Sequence, residues 1–324
     1  MDRMGERALL SRFREGAPGH PWLLVGPGQD CAILRWPSEC RLAFKIDQVV
    51  EGVHFVLRGP GAASPRQVGW KAMAKTCSDM AAAGCWPVAA TVAAHLRSDL
   101  DDAWALELYE GLVDCCKRFG FALAGGDLSS GGSAVHVVVS MLGKGPDGRD
   151  GVGEPWLRQG AQPGDALLVT GTLGGSRGGK HLDFVPRIEE SHRLRLRAGA
   201  GIHAAIDITD GLSRDVGHLC DESGCGVEID RAALPMAEAL RGMPVDEALW
   251  HVLADGEDFE LLMAVAPDVA DRLLAGWDAP AALTRIGRIV ASSEGRCLRA
   301  PDGSLSRLPD IGYEHCTATD EKNE

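Results

Sequence analysis

Two α+β domains in series are the fold class this sequence predicts, and three observations predict it. At 324 residues the chain is longer than one domain of roughly 100–200 residues. Strand and helix patterns mix along it without the regular alternation of a doubly wound sheet. A stretch from Gly143 to Gly164, with seven glycines and three prolines, interrupts them, so the domains are placed at 1–148 and 149–324.

The elements follow in order. Residues 1–15 read as a helix on Met4, Ala8, Leu9 and Phe13, and Gly16–Asp30 as loop. Strands are expected at Cys31–Trp36 and Leu42–Val50. Ser64-Pro65 is a cap followed by proline at the first helical position, so a helix should run to about Ala83 and stop at Gly84. A strand at Pro87–Leu96, a helix at Asp101–Phe119 and a short strand at Phe121–Ala124 come next. Gly125–Gly132 reads as a glycine-rich loop before the strand Val135–Leu142. Beyond the boundary, strands are expected at Ala166–Thr170, Ala204–Ile208, Val227–Ile229, Phe259–Val265, Leu283–Val290 and Arg296–Arg299. Helices are expected near 189–200, from Thr209-Asp210 to Gly224, at Asp246–Leu253 and near 267–275.

Composition excludes several classes. The net charge of −13 and the absence of a Lys/Arg-rich run argue against nucleic acid as a partner. No apolar run reaches the 18 or more residues of a membrane span, and the first residues resemble no signal peptide, so no membrane partner is expected. Ten cysteines contain no C-x-x-C pair, which leaves no zinc spacing and points to free thiols in a reducing, cytoplasmic setting.

Carboxylates in apolar or glycine-rich company mark the candidate site. Asp47 lies between Ile46 and Val49, Asp79 runs into Met80-Ala81-Ala82-Ala83, and Asp207 sits between Ile206 and Ile208. Asp30, Asp127, Asp210, Glu257 and Asp258 stand beside glycines or at element ends. An ionised carboxylate in apolar surroundings is costly unless paired or metal-bound. Several of them suggest convergence on hard divalent cations such as Mg2+, with glycine-rich backbone holding phosphate oxygens. No Walker A sequence is present, and Gly171-Thr172-Leu173-Gly174-Gly175 has the wrong spacing for a dinucleotide fingerprint. Taken singly, Asp210 also suits a helix N-cap, Asp127 a turn, Asp258 a structural position, His54 a packed imidazole and Arg158 the surface.

As an ordered set, these motifs resemble the thiamine-monophosphate kinase family of the aminoimidazole-ribonucleotide-synthetase-like superfamily. The segments are Gly28-Gln29-Asp30-Cys31-Ala32, Asp47 to Phe55, Lys71-Ala72-Met73-Ala74, Ser78-Asp79-Met80 and Gly125-Gly126-Asp127. They continue with Arg158 to Asp165, Asp207-Ile208-Thr209-Asp210-Gly211, Gly256-Glu257-Asp258 and Gly312-Tyr313-Glu314-His315. The resemblance implies transfer of the γ-phosphoryl group of ATP, with Mg2+, to thiamine monophosphate. It implies a homodimer whose N-terminal sheets pair, with a site between the domains. By position, Asp30, Asp47, Asp79, Asp127, Asp207 and Asp210 would hold metal, and Asp47, Asp127 and Asp210 would be catalytic. Gly126, Asp127, Arg158 and Thr209 would hold ATP, and His54, Glu257 and Tyr313 thiamine monophosphate.

The sequence departs from the family pattern at four places. Gln29-Asp30 stands where two Asp are usual, and Lys45-Ile46-Asp47 where a Ser/Thr-Thr-Asp triplet is usual. Leu128-Ser129-Ser130 follows the Gly-Gly-Asp, and Cys316 replaces a terminal Phe. Lys45 is expected to replace part of the charge of one Mg2+. Two other readings remain: a superfamily relative that uses ATP on another small substrate, or a catalytically impaired dimeric nucleotide-binding protein.

Overall fold

One long helix is shared by two β-sheets. The computed structural model describes residues 12–25, 32–37, 40–146 and 154–314. The 148/149 boundary, Asp30 and most of the expected first helix lie outside these residues; residues 12–16 are helical. In a small ribbon, β1 (Leu23–Val25) lies in what the sequence suggests is loop and pairs with β2 (Ile33–Leu34), which falls within the strand expected at Cys31–Trp36.

The N-terminal sheet contains β3 (Leu42–Val50), β4 (Trp86–Leu96), β5 (Ala122–Ser130) and β6 (His136–Lys144), in the order β3-β6-β4-β5. Helices α1 (Pro65–Ala82) and α2 (Asp102–Phe119) join its strands. The predicted start of α1 is a full capping box: Ser64 Oγ accepts from Gln67 N at 3.2 Å, and Gln67 Oε1 accepts from Ser64 N at 2.9 Å. α1 and α2 meet at Gly69 and Gly111. A Cβ on Gly69 would lie 2.0 Å from the Leu108 carbonyl oxygen, so only glycine allows this approach.

The expected loop at Gly125–Gly132 is a correction. β5 runs through Gly125-Gly126-Asp127 to Ser130 as an edge strand, paired in parallel with β4. At Gly126 a Cβ would meet the Val92 carbonyl oxygen at 2.4 Å. The glycine there serves a close strand approach, and the chain turns only at Gly131 and Gly132.

The C-terminal sheet holds β7 (Ala166–Thr170), β8 (Ile202–Asp207), β9 (Cys225–Asp230), β10 (Leu261–Val265), β11 (Leu283–Ala291), β12 (Arg296–Arg299) and β13 (Leu305–Arg307). Their order is β13-β12-β9-β11-β7-β10-β8, antiparallel except for β12 beside β9. α3 (Ile188–Ala198) and α6 (Pro267–Ala275) share one core with α1 and the residues Leu261, Met263 and Val265. α4 (Leu212–Ser223) and α5 (Val245–Ala254) share another with Leu262 and Ala264. Burial on both faces explains the unbroken apolar run of β10. Among the described residues no helix is long and apolar enough to cross a membrane, and eight cysteines are free.

Candidate active site

The loops at one end of the C-terminal sheet face β3 and α1 across a cleft of about 610 Å³. Asp47 and Lys45 enter it from β3, where alternation turns both to the α1 side. Residues 71, 75 and 79 recur at helical spacing on α1, so Lys71, Lys75 and Asp79 form one stripe. Asp207 ends β8, and Thr209 and Asp210 follow it into the turn before α4.

The carboxylates form a chain of short contacts. Lys75 Nζ is 2.9 Å from Asp47 Oδ1, and Lys45 Nζ is 3.9 Å from Asp47 Oδ2 and 2.9 Å from Asp79 Oδ1. Ser78 donates its hydroxyl to Asp207 Oδ2 at 2.6 Å. Burial, then the neighbouring Asp207 charge, pushes the Asp79 carboxyl up to about 7 against the opposing pull of Lys45. Burial raises Asp207 as well, opposed by the Ser78 hydrogen bond and by the charges of Lys45 and Arg158. Such a cluster favours added positive charge.

The next turn is held by Asp215, which accepts from Thr209 N at 2.8 Å and Asp210 N at 2.9 Å. Gly211, not Asp210, stands at the cap position of α4, which corrects the reading of Asp210 as an N-cap. Asp210, Asp215 and His218 each place one ligand atom within 4.8 Å of the others, an arrangement compatible with a cation. Asp210 also accepts, at its main-chain oxygen, from Tyr313 N at 2.9 Å, which brings Tyr313 to the cleft.

The opposite wall is built around a buried lysine. Lys71 is 0% exposed; its Nζ lies 2.8 Å from Glu257 Oε1 and donates to the His54 carbonyl oxygen at 2.6 Å. Glu257 and Phe259 both adopt φ of 52°, a left-handed conformation uncommon outside glycine. Neighbouring acids pin this strained loop. Asp258 accepts from Gly174 N at 3.0 Å, and Glu260 is paired with Arg187 at 2.6 Å and Lys180 at 2.9 Å. Asp258 is thus the structural residue its position suggests. His54 Nδ1 accepts from Val50 N at 3.1 Å. Burial, then the Lys75 charge, lowers its imidazole to about 4, so it is neutral at pH 7.

Of the residues singled out in the sequence, Asp47, His54, Asp79, Arg158, Asp207, Thr209, Asp210, Glu257 and Tyr313 line this cleft together. Gly126 and Asp127 do not. Asp127 pairs in register with exposed Ala93 on the other face of the N-terminal sheet, and both residues line a separate hollow of about 700 Å³. Asp127 is therefore no neighbour of the other carboxylates within one chain. Lys75, Arg177, His181 and Asp215 were not singled out as site residues. Only Lys75 had a legible signal, its spacing midway between Lys71 and Asp79.

The chain matches the family described as AIR synthase related protein, N-terminal domain, over residues 28–145, and its C-terminal counterpart over residues 162–298. It is 34% identical to the thiamine-monophosphate kinase of Rhodopirellula baltica, over 96% of this chain and 97% of the relative. It is also 34% identical to that of Escherichia coli K12, over 96% and 98%. The crystal structure of thiamine-monophosphate kinase from Stenotrophomonas maltophilia superposes with a TM-score of 0.77 at 29% identity, covering 94% of this chain and 98% of that one.

Proposed function

Because the chain belongs to the thiamine-monophosphate kinase family and carries both AIR synthase related domains, we propose that it phosphorylates thiamine monophosphate with ATP and Mg2+, giving thiamine diphosphate and ADP. The observation that carries this reading is the convergence of Asp47, Asp79, Asp207 and Asp210 on one cleft between the two sheets.

These residues fit a hard cation. Their donors are all carboxylate oxygens, and burial holds Asp79 and Asp207 above the usual carboxylate range, with the Asp207 charge adding to the rise at Asp79. Asp47, Asp79, Asp207 and Asp210 would hold Mg2+, with Asp30 outside the described residues. When bound, the ion supplies neutralisation and alignment of phosphate oxygens. The chain's own residues do the rest. Arg158 and Arg177 bring positive charge to the cleft, suited to the phosphates of ATP, and Thr209 stands beside them. Neutral His54, the Lys71-braced Glu257 and Tyr313 border the space assigned to thiamine monophosphate. The acceptor phosphate has a second pKa of about 6 and is largely ionised at pH 7, so no general base is required. Charge neutralisation and in-line positioning carry the reaction.

The homodimer belongs to the same reading. β3 is an edge strand whose outer face carries Leu42, Phe44 and Ile46, exposed by 54%, 72% and 63%. A second copy paired on this face would cover that strip and the Asp127 side chain, which register puts on the same side, with the backbone of Gly126 next to it. Their assignment to ATP and metal depends on that pairing. The division at 148/149, with nucleotide and metal binding and dimerisation on the N-terminal side, and a cytoplasmic location complete the reading. Free thiols suit a reducing compartment.

The test is direct. Purified full-length protein with Mg·ATP and thiamine monophosphate should yield thiamine diphosphate, separated by chromatography, with ADP in equal amount. ADP release with a different small phosphate ester but not with thiamine monophosphate would overturn the acceptor assignment.

A further inference from the structure

Two ammonium groups stand inside the carboxylate cluster. Lys45 precedes Asp47 by two residues on β3, so the strand turns both side chains to the same face. Lys75 precedes Asp79 by four residues on α1, one helical turn away. Positive and negative groups therefore alternate across the seam between sheet and helix. Lys75 meets Asp47 at 2.9 Å, and Lys45 meets Asp79 at 2.9 Å while standing 3.9 Å from Asp47. Lys75 also reaches the Gln48 carbonyl oxygen at 3.4 Å. Both lysines are tethered at the backbone and need no free ion to fill their places.

A divalent ion bridging the facing oxygens of Asp47 and Asp79 would have to occupy the same space as the Lys45 ammonium, or stand against a like charge at close range. Either is unfavourable in a partly desolvated cleft. Asp207, held by Ser78 and not by a lysine, and Asp210 keep their oxygens for ions.

We propose that Lys45, braced by Lys75, is a resident cation that fills the divalent-metal position between Asp47 and Asp79, so that each chain binds one divalent ion fewer than its carboxylates alone would hold. The inference rests on the reading of the cleft as a metal–nucleotide site. It predicts a kinase whose saturation needs fewer free divalent ions, because one positive charge is built into the polypeptide.

Manganese is the probe. Mn2+ bound per chain is counted by electron paramagnetic resonance and isothermal titration calorimetry on the full-length protein, with a non-hydrolysable ATP analogue. The expected result is one additional Mn2+ in Lys45→Met relative to the parent, and the parent count in Lys45→Arg, which keeps the charge. Lys45→Thr, also checked by circular dichroism for native structure, should gain the same ion and guards against a packing failure in the methionine variant. Equal, non-zero counts in the parent, Lys45→Met and Lys45→Thr would overturn the inference and leave the kinase reading standing. No Mn2+ on any of them would overturn the metal site itself, and the inference with it.

Discussion

Ser78 on α1 donates its hydroxyl to Asp207 at the end of β8 across 2.6 Å, joining the helix of one domain to the last strand residue before the Thr209-Asp210 turn of the other. Both side chains are buried. Ser78→Ala would leave Asp207 without this donor. A hydrogen bond to a charged group contributes about 2 kcal/mol, and the variant should lose roughly that much stability in urea unfolding. A loss below about 0.5 kcal/mol would mean that water replaces the hydroxyl without penalty.

Lys71 and Glu257 form the pair that orients the cleft's far wall. Removing the lysine leaves the partly buried Glu257 without its cation and deprives the His54 carbonyl of its donor. Lys71→Met should destabilise the protein by roughly 3 kcal/mol, the cost of breaking a largely buried pair. The Lys71→Met/Glu257→Gln double variant should lose less than the sum of the two single changes. Strict additivity would show that the two groups do not interact energetically.

His54 supplies a pH signature. Its folded-state value of about 4 lies below the ordinary 6.5, through burial and the charges of Lys75 and Lys71. A depressed imidazole contributes stability that is fully present above 6.5 and is lost as pH falls from there through about 4, because the unfolded chain takes up the proton first. The His54 ring should titrate near 4 by NMR, and the fall in stability between pH 6.5 and 4 should be shallower in His54→Asn. A ring that titrates at 6 or above would refute this account.

Phe44 tests the dimer. Placing a charge at the most exposed of the three β3 residues, as in Phe44→Lys, should weaken self-association at least about thirty-fold, the loss of a 2 kcal/mol interface anchor. Sedimentation velocity across a concentration series would read it. An unchanged sedimentation coefficient at every concentration would put the interface elsewhere.

The sequence made the acidic half of the site legible and hid most of the basic half. Asp47, Asp79 and Asp207 stood out because carboxylates in apolar runs demand a reason, and all three meet in the cleft. Lys75 was legible only through its spacing between Lys71 and Asp79, and Asp215 not at all, because charged residues on helices are ordinary until the fold shows what they face. Arg177 and His181 sit in no motif, and only the turn after β7 brings them in. The run Gly125-Gly126-Asp127 reads as a loop in sequence, since glycine is usually a turn signal. The structure uses that flexibility for strand contact at the Val92 carbonyl, a requirement set by a residue 34 positions away. The element order was largely readable because amphipathic spacing, caps and buried strands are local. The opposite facing of Asp127 and Asp47 was not, because it depends on register across four strands.

α1 gives residues to a core that also contains strands of both sheets: Val139 and Met141 on one side, Leu168 and Met263 on the other. Neither half therefore owns a complete interior. Melting the amino-terminal sheet would strip the carboxy-terminal one of the α1 share of its cover on one face, and α1 would in turn lose its packing on Leu168 and Met263 if the other sheet melted. The chain should come apart in a single endotherm, with calorimetric and van 't Hoff enthalpies in agreement, despite having two recognisable sheets. Cooperativity of that kind would keep the opposing walls of the cleft in register until the whole polypeptide gives way.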